Sequence, residues 1–501
     1  MGLKAVAAKW FASVVVRKQY REAADAVRLQ EKTLLSLVKQ AAGTAFGKDH
    51  DFAGITNYEA FKQRVPVRDY EQLRVYADRM ISGEPDVLWP GVPFYLSKTS
   101  GTTSGTKYIP ISKESMPHHI TAARNALLSY VYHSGNTDFV NHKMIFLQGS
   151  PLLDNSHAIP TGRLSGIVAN YVPAYLQRNR LPSFATNCIE DWETKVDKIV
   201  DETIVQDMSL ISGIPSWVQM YYEKLVEKAG KPVGEIFPDF SLFVFGGVNF
   251  EPYRRRFYEL VGREIDTIET YPASEGFIAF QDDPGRDDLL LNINAGIFFE
   301  FVPVGEMDNE HPARLSVAEV KTGENYAILL STNAGLWAYN IGDTVRFTSL
   351  EPLRIKVTGR IKHYTSAFGE HVIAEEVEEA MKQAIERSGA LVSEFTLAPQ
   401  ITPENGLPYH EWFVEFVREP SDWELFVTTL DETLQKKNTY YKDLIKGHVL
   451  RKLVIRVIPQ GSFVEYMKSQ GKLGGQNKIP RLQNNRNIAD FFSSRVSRSI
   501  I

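Results

Sequence analysis

The stretch Ser97-Lys98-Thr99-Ser100-Gly101-Thr102-Thr103-Ser104-Gly105-Thr106-Lys107 decides how this chain is read. Hydroxyl side chains, two glycines and two lysines crowd together with no aliphatic residue among them. Glycine lets a backbone approach a phosphate closely, hydroxyls and amides donate hydrogen bonds, and lysine adds positive charge. Tyr108 to Ile111 then reads as a strand. The spacing is not that of a P-loop. That motif needs glycines five apart with lysine directly after the second, whereas Thr106 separates Gly105 from Lys107 and Tyr108 follows.

Outward from this loop, helical patterns alternate with short apolar runs. Residues 1–45 read as helical, and Gly43 and Gly47 end the pattern. Strands are expected around 144–147, at 242–245 running into Gly246-Gly247, at 265–270 after a helix over 253–262, at 296–304 and at 326–330. Strands separated by helices predict an α/β fold, with mixed sheets flanked by helices. Beyond Thr358-Gly359-Arg360 the texture becomes shorter-ranged and more charged. A Glu-rich amphipathic helix over 374–387 is followed by strands over 391–397 and 412–417 that alternate as if one face were exposed. Ser421 with Glu424 reads as a capping box for a helix over 422–436, and a strand over 453–458 precedes a glycine-rich tail. The predicted organisation is a large domain over 1–358, a hinge over 359–370 and a small α+β domain over 371–501.

Composition narrows the function. The chain has 501 residues, 43% of them hydrophobic, too many for one core. A net charge of −5 argues against a nucleic-acid partner. Arg254-Arg255-Arg256 lies in a helical pattern and reads as a solvated face. The single cysteine, Cys188, excludes an intrachain disulfide and fits a reducing compartment, so a cytoplasmic location is expected. It has no basic neighbour in the local sequence and reads as a plain thiol. The apolar amino terminus is broken by Lys4, Lys9, Arg17 and Lys18, which excludes a membrane span and predicts an amphipathic helix packed on the body. The adjacent His118-His119 diverge on a helix, and no His/Cys spacing resembles a zinc site.

Four further segments carry chemistry-bearing residues in order. They are Tyr271-Pro272-Ala273-Ser274-Glu275-Gly276, Tyr339-Asn340-Ile341-Gly342-Asp343, Val357-Thr358-Gly359-Arg360 and Gly474-Gly475-Gln476-Asn477-Lys478-Ile479-Pro480-Arg481. Taken with the 97–107 loop, they resemble the motifs of the adenylate-forming superfamily of acyl-CoA synthetases, adenylation domains and luciferases. Within it the chain is similar, over nearly its whole length, to the Gretchen Hagen 3 family of auxin-responsive acyl acid amido synthetases and their bacterial relatives. Pro272 occupies a small-residue slot of the family pattern, and Asn340 stands where plant members usually carry arginine.

The resemblance implies a large adenylate-forming domain with a small, mobile carboxy-terminal domain, and ATP and Mg²⁺ as cofactors. It assigns ATP contacts to Ser100, Gly101, Thr102, Thr103, Ser104, Gly105, Thr106, Gly246, Gly247, Tyr271, Ser274, Asp343, Arg360 and Lys478. Glu275 would hold the metal, Tyr271 would lie against adenine, and Asp343 would accept from the ribose hydroxyls, which suits two carboxylate oxygens. Lys478, Lys107 and Thr102 would be catalytic, stabilising charge at the reacting phosphorus. Trp217 and Val248 are candidates for the acyl pocket. The implied activity is conversion of a carboxylic acid to its acyl-adenylate with loss of pyrophosphate, then acyl transfer to an amino acid or other amine with loss of AMP. An acyl-CoA ligase shares the first half-reaction, and a non-catalytic nucleotide-binding protein on the same fold is the alternative of another class. The expected partners are small molecules; the particular acid, the acceptor and the oligomeric state are not encoded in these motifs.

Overall fold

The computed structural model describes the chain apart from residues 1–2, 101–105, 157, 172–176, 190, 248–249, 308, 310, 361–363, 366–371, 402, 404–405, 447–448, 474–477, 484–485 and 501. It divides into two compact units. The first comprises 1–213, 237–247 and 265–357; the second comprises 214–236, 248–264 and 358–501.

An 11-stranded sheet dominates the first unit. Its order is Ile297–Pro303, Asn325–Thr332, Tyr339–Leu350, Leu353–Arg360, Leu289–Leu291, Gly276–Phe280, Asp266–Ala273, Leu242–Gly246, Met208–Ser212, Lys143–Phe146 and Arg180–Leu181. From Arg180–Leu181 to Asp266–Ala273 neighbouring strands run parallel, and from there on the described pairings are antiparallel. The central strands are apolar at nearly every position: Phe277, Ile278, Ala279 and Phe280 are all buried, as are Leu289, Leu290 and Leu291. Continuous apolar runs of this kind are what a sheet covered on both faces requires. Covering helices include Ala26–Ala41, whose Leu34, Leu37 and Val38 join the core, and Met116–Ser134, against which Leu3–Ala24 packs. A smaller sheet pairs Tyr95–Ser100 with Thr106–Ile111 in antiparallel register, Thr99 opposite Lys107, and with Thr161–Gly162 in parallel. The expected strand at Tyr108 to Ile111 therefore starts two residues earlier and forms a hairpin around the glycine-rich loop.

The second unit is built on a four-stranded sheet, Leu391–Gln400, Tyr409–Arg418, Val454–Ile458 and Arg498–Ile500. The helices Ala374–Ser388 and Trp423–Lys437 pack together there, and Glu251–Val261 packs against both Pro215–Ala229 and Ala374–Ser388. Three sequence readings change here. Strand Tyr409–Arg418 is not half-exposed: its first eight residues are buried. The charged position of the 412–417 run, Glu415, lies in the interior, where the Phe463 amide donates to it, and so does the preceding Glu411, which pairs with Arg456 and Arg486. The cap of Trp423–Lys437 is Asp422, which accepts from the Leu425 amide, while the Ser421 hydroxyl bonds to the Ser388 carbonyl. Arg254, Arg255 and Arg256 are ion-paired with Glu251, Glu259 and Glu223 rather than simply solvated.

Candidate active site

Strand Asp266–Ala273 and strand Gly276–Phe280 form a tight hairpin whose two turn residues are Ser274 and Glu275, with Ala273 opposite Gly276. Two hydrogen bonds tie this hairpin to distant segments of the first unit. The Ser274 and Ser97 hydroxyls lie 2.8 Å apart across 177 residues of chain, and Ser97 sits on the strand that enters the glycine-rich loop. The Tyr271 hydroxyl donates to Oδ2 of Asp343 at 2.6 Å, across 72 residues. The loop base, the Ser-Glu turn and the irregular stretch of strand Tyr339–Leu350 that carries Asp343 therefore meet in one place.

Local sequence explains the placements. Asp343 follows Gly342, whose φ of +86° is a left-handed conformation that disfavours a side chain, and the Asn340 side chain accepts from the Gly342 amide at 2.8 Å. That bond gives Asn340 a turn-forming role. Gly246 ends Leu242–Gly246 beside Thr270; a Cβ there would lie 2.3 Å from the Thr270 carbonyl oxygen, so only glycine permits that approach of strands. Lys107 returns from the loop opposite Thr99, with its Nζ 5.7 Å from the centre of the Tyr70 ring. The Tyr70 hydroxyl in turn accepts from the Tyr108 amide at 3.0 Å, which fixes the outgoing strand. Glu275 and Asp343 are half-buried, and Tyr271 is buried.

Gly247 lies at the same strand end with a left-handed φ of +82°. Gly101, Thr102, Thr103, Ser104, Gly105 and Val248 lie outside the described residues, as do the side chains of Ser100 and Thr106. Trp217, Arg360 and Lys478 belong to the second unit. Trp217 is 5% exposed on the helix Pro215–Ala229, and Lys478 is exposed just beyond 474–477, which are also outside the described residues. Three residues further on, Arg481 is buried among carboxylates: it donates to Glu378 at 3.3 Å, to the Phe395 carbonyl at 3.1 Å, and to Glu394 and the Tyr253 hydroxyl. Burial alone would lower the Arg481 pKa, but Glu394, Tyr253 and Glu378 outweigh it and hold the guanidinium charged. The Thr396 hydroxyl bonds to the Pro480 carbonyl at 2.7 Å and the Leu397 amide to the Arg481 carbonyl at 2.9 Å, so the chain after Lys478 is fastened to Leu391–Gln400.

Ser97, Tyr70 and Arg481 are the residues that motif reading left unassigned. A serine that is fully buried in a strand ahead of a polar loop is the one available signal for Ser97. His119 is a core residue, 4% exposed, with burial pushing its pKa down to about 4. Among the described residues, a single cluster of metal-type ligands has atoms within 4.8 Å of one another, His142, Asp207 and Asp239. Each precedes a strand of the parallel portion at its amino end, away from Glu275.

The fold is shared with adenylate-forming ligases. A 2-hydroxyisobutyryl-CoA ligase in the postadenylation state, in complex with 2-HIB-AMP, superposes with a TM-score of 0.62 at 14% identity, over 94% of this chain and 91% of the other. The GH3.15 acyl acid amido synthetase superposes at 0.80, with 16% identity over 98% and 97% of the two chains. Models of the GH3 family N-terminal, central and C-terminal domains match residues 15–174, 290–360 and 375–487. The chain belongs to the GH3 family. Its relatives include the jasmonoyl–L-amino acid synthetase JAR4 of Nicotiana attenuata, 22% identical over 95% of this chain and 94% of that protein. The indole-3-acetic acid-amido synthetase GH3.3 of Arabidopsis thaliana is 26% identical over 93% and 91%.

Proposed function

We propose that this protein is an ATP- and Mg²⁺-dependent ligase that activates a carboxylic acid as its acyl-adenylate and transfers the acyl group to an amino acid. The observation that carries this reading is the pair of bonds Ser97–Ser274 and Tyr271–Asp343, which gather the loop base, the Ser-Glu turn and the Asp343 stretch of strand Tyr339–Leu350. Full-length similarity to amido synthetases favours an amine acceptor over a thiol.

In the first step a carboxylate oxygen of the acid forms a bond to the α-phosphorus of ATP, and the bond to pyrophosphate breaks. Negative charge gathers on the phosphoryl oxygens. Lys107 and the 99–106 segment are suited to hold the outer phosphates, and Lys478 to meet the α-phosphate. Asp343 would take the ribose hydroxyls while Tyr271, bonded to it, fixes its orientation. Glu275 fits a hard cation, because Mg²⁺ needs only one or two protein carboxylates beside water and phosphate oxygens. The metal, when bound, would neutralise phosphate charge. In the second step the amine of the acceptor attacks the mixed anhydride, AMP leaves, and one proton is lost from nitrogen. Movement of the 371–501 domain about the 359–370 hinge would withdraw Lys478 and admit the acceptor. Trp217 and Val248 are the proposed acyl-pocket residues, and the cytoplasm is the proposed location. Among the described residues no helix is long and apolar enough to cross a membrane.

The test is incubation of purified protein with ATP, Mg²⁺, a panel of carboxylic acids, and either amino acids or CoA. Amide and AMP are the expected products. A CoA thioester without amide would reassign the second step, and ADP in place of AMP would overturn the first.

A further inference from the structure

Three cations converge on one short segment of the first unit, and among the described residues no carboxylate pairs with them. Gln148 and Gly149 follow the strand Lys143–Phe146. The Lys195 amine, 3% exposed, donates to the Gln148 carbonyl at 3.1 Å and the Asn187 carbonyl at 2.7 Å. The Arg180 guanidinium donates to Oε1 of Gln148 at 2.8 Å and to the Ala169 carbonyl at 3.2 Å, and stacks over Phe146. The stem of Arg163 crosses Gly149: a Cβ on that glycine would lie 2.8 Å from Cδ of Arg163 and 3.5 Å from the Ser165 hydroxyl. Among the described residues, Arg163 has no hydrogen-bond or ion-pair partner, and the buried Ser165 hydroxyl is likewise unpaired.

Among the described residues, two acidic groups nearby in the sequence are engaged elsewhere, and Glu190 lies outside the described residues. Asp191 caps its helix through Thr194, and Glu202 accepts from the Ser183 amide. A half-buried cation without a counter-charge costs free energy, and none of the three has one among the described residues. Burial pushes the Lys195 amine down to about 8, opposed by Cys188 and reinforced by the Arg163 charge. Cys188, which lacked a basic neighbour in the local sequence, thus has Lys195 beside it in the fold. Such a cluster is built to receive an anion.

The cluster adjoins the candidate active site. Gly162 pairs with Ser97, whose hydroxyl meets Ser274, and Arg163 is the next residue. Leu147, just ahead of Gln148, donates its amide to Ser212 at the carboxyl end of the neighbouring parallel strand, and Gly213 bonds to Val244 beyond that. Open α/β sheets bind their ligands at this edge.

We propose that Arg163, Arg180 and Lys195, with the Ser165 hydroxyl, form a subsite for a free carboxylate of a small-molecule substrate, one that does not react. This rests on the ligase reading above, under which two sources exist: a second carboxylate on the acid that is activated, or the α-carboxylate of the amino acid that accepts the acyl group.

The experiment compares full-length wild type with Arg163→Gln, Arg180→Gln and the conservative Arg163→Lys. Acid-dependent ATP–pyrophosphate exchange is measured with matched mono- and dicarboxylic acids, and amide formation with amino acids and their carboxamides. Each glutamine variant should raise KM about 10- to 100-fold for the carboxylate-bearing compound, as expected for a lost charged hydrogen bond, and leave its carboxylate-free match within about twofold. Arg163→Lys should recover part of the loss. A change confined to exchange identifies the acid as the source, and one confined to amide formation identifies the acceptor. Equal KM changes for both members of a pair, or none, overturn the subsite. Calorimetric titration with succinate reads the site without turnover. Arg163-dependent binding in a protein that forms no adenylate would uphold the subsite and defeat the ligase reading. Succinate affinity unaltered in both glutamine variants, or absent from wild type, would defeat the subsite alone.

Discussion

Replacing Arg481 by methionine should damage both stability and adenylation, because the same side chain holds the second unit together and fastens the chain behind Lys478. The Arg481 side chain is 5% exposed, and its partners Glu378 and Glu394 are 11% and 12% exposed. Methionine replaces much of the volume but removes the positive charge that balances two buried carboxylates, although Glu394 keeps its bonds from the Tyr253 hydroxyl and the Phe395 amide. Breaking a buried ion pair from one side costs about 3–5 kcal/mol, most of it the penalty on the charges left behind. Adding Glu394→Gln to the variant should return about 1–2 kcal/mol, since one stranded charge is then gone. Two backbone-fixing bonds, Thr396 to Pro480 and Leu397 to Arg481, survive the substitution in principle, so the catalytic loss should follow from displacement rather than detachment. A misplacement near 1 Å is worth roughly a hundredfold in rate. Denaturant unfolding read by hydrogen exchange in strands Leu391–Gln400 and Tyr409–Arg418 measures the first effect, and pyrophosphate exchange at saturating ATP the second. An Arg481→Met protein with unchanged protection and an exchange rate within twofold of wild type would refute the argument.

Other perturbations separate the remaining roles. Asp343→Asn keeps an acceptor for the Tyr271 hydroxyl but removes the charge, so KM for ATP should rise about 10- to 100-fold with little change in melting temperature. Glu275→Gln should raise the Mg²⁺ concentration needed for half-maximal exchange by about tenfold; an unaltered Mg²⁺ titration would place the metal elsewhere. His119 titrates in the folded state near 4 against an ordinary value of 6.5, because burial disfavours its charged form. Between those values the unfolded chain binds the proton and the folded chain does not, so stability rises with pH across that window and is lost on acidification. The shift corresponds to about 3 kcal/mol, and His119→Leu should flatten that part of the stability–pH curve. Ser97→Ala should lower the exchange rate by severing the loop base from the Ser274 turn, measurable as a reduced kcat with the fold retained by circular dichroism.

How far the sequence alone carried this account depends on the range of the forces involved. Helix and strand positions in the first unit were legible because apolar runs such as 242–245 and 326–330 are local, and the observed strands differ from the expected ones by a residue or two. The motifs were legible because glycine, hydroxyl and carboxylate residues at fixed spacing leave a pattern. What joins them is not local. Nothing near Ser97 announces Ser274, and the six residues between Cys188 and Lys195 hide their proximity. Interior polar contacts mislead periodicity in the same way: Glu415 in the 412–417 run reads as a solvent-facing position until the Phe463 amide is seen to donate to it. The capping error at Ser421 has a shorter reach. Two adjacent side chains both qualify as caps, and the helix starts one residue later than the box implies.

We propose that the glycine-rich loop, the Ser274-Glu275 turn and Asp343 surround one nucleotide. A crystal structure of the protein with a non-hydrolysable acyl-adenylate analogue tests it directly. The ribose hydroxyls should lie within hydrogen-bond distance of Asp343, with the adenine against Tyr271 and the phosphate-replacing group beside the 99–107 loop. An analogue seated away from Asp343, or with its ribose turned from that carboxylate, would contradict the account.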